Sequence, residues 1–159
     1  MSRAHVITIS DRVSAGQMED QSGPALIRLL TAAQFDASGP EVVPDDRRRI
    51  GEAVVAAAAG GADVVITTGG TGLGPRDVTP QATSAVIDFE VPGLGEAMRR
   101  VGAASTPMAA LSRGIAGVRG TTLVVNVPGS VKGATESLEA VMPMLGHAIR
   151  LLHGHTTHS

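Results

Sequence analysis

The residues best equipped for chemistry in this 159-residue chain lie in one stretch, DVVITTGGTGLGPRDVTPQAT at positions 63–83. Four glycines (Gly69, Gly70, Gly72 and Gly74) fall within six residues, and Arg76 and Asp77 follow at once. Backbone N–H groups freed of side chains form a concave nest for an anion. A guanidinium and a carboxylate beside such a nest point to a phosphate or another oxyanion. The competing reading is a turn that uses glycine only to reverse the chain. Four glycines exceed what a turn requires, so binding is the favoured reading. The familiar phosphate loops do not fit. No lysine follows the glycines as a P-loop demands, and Gly70, Gly72 and Gly74 are spaced G-x-G-x-G, not G-x-G-x-x-G. The pattern specifies an anion site without specifying the anion.

Further candidates stand at other junctions. Ser10, Asp11 and Arg12 follow an apolar run, and the alternative for the charged pair is a solvated loop contact. Asp45 and Asp46 precede a helical pattern, where either makes a good N-cap. Asn126, Ser130 and Lys132 place an amide, a hydroxyl and an ammonium at another helix start, a second anion contact unless Ser130 is only the cap.

These groups need elements to hold them. Residues 5–10, 64–68 and 121–127 are apolar, β-branched runs that read as buried strands. In open α/β sheets ligands collect at the carboxyl ends of such strands. Adjacent parallel strands there would bring Ser10, Gly69 and Asn126 to one edge. Residues 41–44 read as a short strand, and 11–16 as a polar loop without period. The spacing predicts helices capped at Ser22, with Leu26, Leu29, Leu30 and Ala33 inward, and after Asp46, with Ile50, Ala53, Val54 and Ala57 inward, ending at Gly60-Gly61. It predicts another capped at Thr79, with Ala82, Ala85, Val86 and Phe89 on one face, and another carrying Leu94, Ala97, Met98 and Val101. The last carries Ala134, Leu138, Val141, Leu145, Ala148 and Leu152, with Pro143 expected to kink or divide it. Residues 106–120 are ambiguous: a helix end near Leu111 and a short strand from Ile115 both fit.

Length and composition set limits. One domain is expected over residues 1–152, with 153–159 a disordered tail containing His153, His155 and His158. A formal net charge of −2 with 18% charged residues carries no electrostatic footprint for nucleic acid or membrane. The absence of cysteine excludes disulfides, thiolate metal sites and thiol catalysis. No signal peptide or spanning segment is evident, which makes cytoplasm the default location. Phe35 and Phe89 are the only aromatics, so a bound heterocycle must be recognised by polar edges and aliphatic contacts. Lys132 is the single lysine among 13 basic residues, a bias that needs only an arginine-rich genome.

Six segments in order carry a resemblance: Ile9-Ser10-Asp11-Arg12, Val43-Pro44-Asp45-Asp46, the run 67–79, Pro92-Gly93-Leu94-Gly95-Glu96, Leu111-Ser112-Arg113, and Asn126-Val127-Pro128-Gly129-Ser130. With them the chain resembles the molybdopterin adenylyltransferases of molybdenum-cofactor biosynthesis from Val6 to about Leu152. The Gly-Gly-Thr-Gly turn also occurs in the domain of the molybdate-insertion protein and in a competence-associated family; the single-domain length favours the adenylyltransferases.

The resemblance implies a three-layer α/β sandwich with a mostly parallel central sheet, of the molybdopterin-binding-domain type. It also implies a homotrimer, and a downstream hand-over to the molybdate-insertion protein. The implied reaction moves AMP from ATP onto the terminal phosphate of molybdopterin and releases pyrophosphate, with Mg2+ as cofactor. By resemblance Asp45 and Asp77 are the catalytic and metal-binding carboxylates. Gly69, Gly70, Thr71 and Gly72 hold the nucleotide phosphates. Ser10, Asp11, Arg12, Ser112, Arg113, Asn126, Pro128, Gly129, Ser130 and Lys132 line the rest of the substrate site. Two other readings stay open: a molybdopterin carrier or scaffold without turnover, and a metal-dependent nucleotide hydrolase built on the same cradle.

Overall fold

The computed structural model describes residues 1–155. Its centre is a six-stranded sheet in the order β2-β1-β3-β6-β5-β4. The strands are β1 (Arg3–Ile9), β2 (Asp36–Val43), β3 (Val64–Thr68), β4 (Phe89–Glu90), β5 (Ala116–Arg119) and β6 (Thr122–Val127). β2, β1, β3 and β6 run parallel, with Ile66 opposite both Val6 and Val125. β5 runs antiparallel to β6 and to β4. The three strands expected to be adjacent and co-directional are so, because a parallel run buried on both faces must be apolar throughout.

Helices cover both faces. They are α1 (Asp11–Ser14), α2 (Ser22–Ala32), α3 (Arg47–Ala59), α4 (Thr79–Ser84), α5 (Pro92–Ala103) and α6 (Val131–Leu152), with a 3-10 turn at Pro107–Leu111. On one face Leu26 and Leu30 of α2, Leu94 and Met98 of α5, and Leu138, Val141 and Leu145 of α6 pack on Val6, Ile66 and Val125. On the other, Ile50 and Val54 of α3 and Ala82 of α4 meet Ile7, Val65 and Val124. The strand period of two sends alternate residues to the two layers.

Several local expectations change. Residues 11–14 form a helical turn, because the Ser10 hydroxyl accepts the Val13 N–H at 3.1 Å. β2 is longer than residues 41–44, since an edge strand is half exposed and lacks an apolar signature. Ser22 does not cap α2: the Asp20 carboxylate takes the Gly23 N–H instead, at 3.0 Å. Thr79 is the first helical residue rather than the cap, and its hydroxyl donates to the Gly69 carbonyl at 2.9 Å. Phe89 belongs to β4 rather than to a helical face. Pro143 does not divide α6, which runs 22 residues. α3 ends as expected, with Gly61 at a φ of +94°.

Candidate active site

The parallel strands deliver their carboxyl ends to one edge, where a cavity of about 490 Å3 opens. Such a volume suits a small-molecule site. Ser10 follows β1, Gly69 and Gly70 follow β3, Gly129 and Ser130 lie between β6 and α6, and Val131 begins α6; all line it, together with Asp45 and Asp77. Thr8, Val13, Met18, Glu19, Asp20, Gln21 and Ser22 line it too.

The glycine turn is shaped by close approach. Gly69 has a φ of +107°, and a Cβ there would run into the Ile9 carbonyl. A Cβ on Gly70 would strike the Thr79 hydroxyl and come within 3.0 Å of an Asp45 carboxylate oxygen. Only glycine lets β1, β3 and α4 converge here. From behind, Arg113 braces the turn. Its Nε donates to Gly72 O at 2.8 Å, Nη2 to Asp77 O at 2.7 Å and Nη1 to Gln81 Oε1 at 3.2 Å. The Arg113 N–H also donates to Thr71 O at 2.8 Å. The far end of the turn is tied by the Asp77 carboxylate, which accepts the Gly74 N–H at 2.9 Å.

A second brace fixes Asp45. Its carboxylate accepts the Asp11 N–H at 2.9 Å, while its own N–H donates to the Asp11 carboxylate at 3.0 Å. Arg76 reaches across to grip Asp11 through Nε at 3.0 Å and Nη2 at 3.2 Å. The Arg76 hydrogen bond holds the Asp11 carboxyl below its ordinary range. Burial pushes the Asp45 carboxyl up, and the Asp11 and Asp77 charges push it further the same way. Two carboxylates facing one cavity, one of them already reluctant to ionise, leave an electrostatic deficit that a cation would relieve. Among the described residues no group of three or more metal-type side chains gathers. Asp45 and Asp77 line the same cavity, a donor set of the size Mg2+ uses, since that ion takes one or two protein carboxylates and completes its shell with phosphate oxygens and water.

The other expected site residues lie elsewhere. Asp11 and Arg76 sit beside the cavity rather than in it, and Arg12 is on α1. Thr71, Gly72 and Arg113 build the turn from behind. Ser112, Asn126 and Pro128 line a separate narrow cleft of about 40 Å3 under α5. Asn126 does not join Ser10 and Gly69 at the cavity. It is buried, donates to the Thr67 and Thr83 hydroxyls at 2.9 and 3.0 Å, and accepts the Ile115 N–H at 3.2 Å. The amide is a tie between β3, α4 and the start of β5. Pro128 accepts from the Thr68 hydroxyl at 2.7 Å. Ser130 caps α6 through the Gly133 N–H at 3.1 Å, and the exposed Lys132 follows in the first turn without lining the cavity. Of the tail, His153 sits 2.9 Å from the Asp63 carboxylate, and His158 lies outside the described residues. The sequence reading missed the wall at 18–22; its one available signal was an aspartate two residues before the start of α2.

A two-faced α/β sheet with a glycine nest and paired carboxylates at its carboxyl edge defines an α/β protein that receives a small ligand at the strand ends. More narrowly, the chain belongs to the family described as "Probable molybdopterin binding domain", which it matches over residues 5–147. It is similar to the molybdopterin adenylyltransferase of Helicobacter pylori strain J99, at 39% identity over 155 residues, covering 94% of this chain and 86% of that protein. Gephyrin of Dictyostelium discoideum is 38% identical over 158 residues, covering 93% of this chain; the chain spans only 22% of gephyrin's length. Among solved structures, the molybdopterin biosynthesis enzyme MoaB of Thermus thermophilus superposes with a TM-score of 0.91 at 50% identity, over 97% of this chain and 98% of that one.

Proposed function

We propose that this chain transfers AMP from ATP to the terminal phosphate of molybdopterin, releasing pyrophosphate, as a step of molybdenum-cofactor biosynthesis. The observation that carries the reading is the meeting of the glycine turn with Asp45 and Asp77 in one cavity, in a chain whose relatives include molybdopterin adenylyltransferases. A molybdopterin phosphate oxygen attacks the α-phosphorus of ATP, and the bond to pyrophosphate breaks as the new P–O–P linkage forms. The nucleophile needs no general base, because a phosphate monoester with a second pKa near ~6 is already ionised at neutral pH. That agrees with a cavity lined by no histidine or cysteine.

The protein's task is alignment and charge control. The Gly70 N–H and the amino end of α6 beside Gly129 and Ser130 receive phosphate oxygens, while the Gly69 N–H is spent on the Val127 carbonyl at 3.1 Å. Asp45 and Asp77 hold Mg2+, which when bound neutralises phosphate charge. Arg76 and Asp11 orient Asp45 from outside the cavity. The resemblance further implies a homotrimer. Among the described residues no helix is long and apolar enough to cross a membrane.

The test is pyrophosphate release from ATP with and without molybdopterin. Release only with the acceptor supports the transferase. Release without it makes the chain a hydrolase, and tight molybdopterin binding with no release makes it a scaffold.

A further inference from the structure

The part of the cavity wall formed at the start of α2 carries a device that the reaction as described leaves unused. Asp20 stands before α2 with both carboxylate oxygens fixed: one accepts the Gly23 N–H at 3.0 Å, the other the Thr8 hydroxyl at 2.7 Å. Next to it, the Ser22 and Thr68 hydroxyls lie 3.2 Å apart, tying the start of α2 to β3. A helix start facing a cavity is ordinarily a place for a ligand's phosphate. Here the protein's own carboxylate fills it, and Glu19 adds a second acidic side chain to the same wall. A polyphosphate is repelled from this helix start and received instead at Gly70 and the start of α6, which line the same cavity.

An ionised carboxylate has about four lone-pair positions, and Asp20 spends two within the protein. The remaining two are left for a partner, and Asp20 lines the cavity. Two acceptors side by side on a rigid carboxylate match two N–H donors side by side on a ring. A 2-amino-4-oxo heterocycle, the head of a pterin, presents such a pair at its ring N–H and amino group. The adenine edge instead alternates donor and acceptor. Aromatic stacking is not available, since neither phenylalanine lines the cavity; Ile9, Val13 and Met18 offer aliphatic surface for the ring faces.

We propose that Asp20 is the specificity residue for the pterin end of molybdopterin: it plugs the α2 terminus against phosphate and accepts the paired donors of the pterin edge. The inference rests on the proposed substrate, and its test is built to fail separately from the proposed reaction. Asp20→Asn keeps the helix cap, because the amide oxygen still accepts the Gly23 N–H and the amide nitrogen can donate to the Thr8 hydroxyl. It replaces an acceptor pair with a donor and an acceptor and removes the charge.

The experiment measures equilibrium binding of molybdopterin without ATP, the KM for ATP in the full assay, and the melting temperature, for wild type and Asp20→Asn. The expected result is a molybdopterin affinity weaker by roughly ten- to a hundredfold, the scale of a lost charge-assisted hydrogen bond, with ATP KM and melting temperature unchanged. This holds even if wild type shows no turnover, in which case the binding arm supports Asp20 while the transferase reading falls. A rise in ATP KM with molybdopterin binding intact would assign Asp20 to the nucleotide and overturn the inference. So would unchanged binding of both, a loss of molybdopterin affinity together with a higher ATP KM and a lower melting temperature, or a wild type that does not bind molybdopterin.

Discussion

Asp45 and Asp77 resemble each other in the sequence as acidic residues near turns, yet their surroundings give them different behaviour. Asp77 ties its own turn through the Gly74 N–H. Asp77→Asn retains that bond through the amide oxygen, so the melting temperature should hardly move. It removes the full negative charge that a hard cation favours, and adenylyl transfer should drop on the order of a thousandfold with molybdopterin binding largely intact. Transfer at a near-normal rate would make Asp77 a turn residue, and collapse of all three measurements would make it structural. Asp45 differs because burial and two like charges oppose its ionisation. A carboxyl whose folded pKa is raised loses stability as pH climbs from its unfolded value to its folded one, and above both it carries a constant penalty. Asp45→Asn keeps the acceptor for the Asp11 N–H and removes that penalty. At neutral pH the variant should melt at or above the wild-type temperature while losing activity, and the difference should shrink as the pH falls toward about 4 and vanish below it. A clear destabilisation at pH 7 would show that the Asp11–Asp45 clasp needs the charge.

At the scale of elements, the site is a turn held from behind by a residue distant in sequence. Arg113 satisfies two carbonyls and one side-chain oxygen at three points of the 72–81 segment. Arg113→Ala leaves those acceptors to whatever water can reach them and should cost about 1–3 kcal/mol. Arg113→Lys should recover little of that, because an ammonium is a point donor and cannot span the three acceptors as a fork does. If lysine restores the melting temperature, charge alone rather than the fork holds the turn. The same residues explain what the sequence could and could not convey. β1, β3 and β6 were legible, as uninterrupted apolar runs have few alternatives, and the glycine turn was legible from its density. Asp20 was not, because the neighbouring serine offered an equally good cap and only the position of Thr8 decides between them. Asn126 lay at the expected strand end, yet one step of strand alternation decides whether it faces the cavity or the layer beneath α4. Arg113 was expected, by resemblance, to line the substrate site; its bonding to the carbonyls of Gly72 and Asp77 depends on a chain crossing that no local pattern encodes.

The whole molecule has two ends. The groups proposed for catalysis and binding line the cavity where the parallel strands finish, and a separate set of ties closes the edge where they begin. Asp63, immediately before β3, anchors that second edge: its carboxylate accepts the Arg3 N–H at 2.8 Å and meets the His153 ring at 2.9 Å. The Asp63 backbone bonds to Arg3 and Leu123 as well, so β1, β3, β6 and the end of α6 are joined at one residue. The five residues of β3 lie between this knot and Gly69, a separation of roughly 20 Å at ~3.3 Å per residue step. Asp63→Ala removes the side-chain ties and leaves the backbone ones. It should cost about 1–2 kcal/mol, which for a chain of this size lowers the melting temperature by roughly 2–8 °C. Well below that temperature, KM for ATP, molybdopterin affinity and the rate of pyrophosphate release should equal those of wild type. The comparison is made at 25 °C on one preparation, with the folded fraction measured by near-ultraviolet dichroism. A loss of rate greater than the loss of folded protein would mean that the two ends of the sheet are coupled, and the separation of stability from catalysis would be wrong.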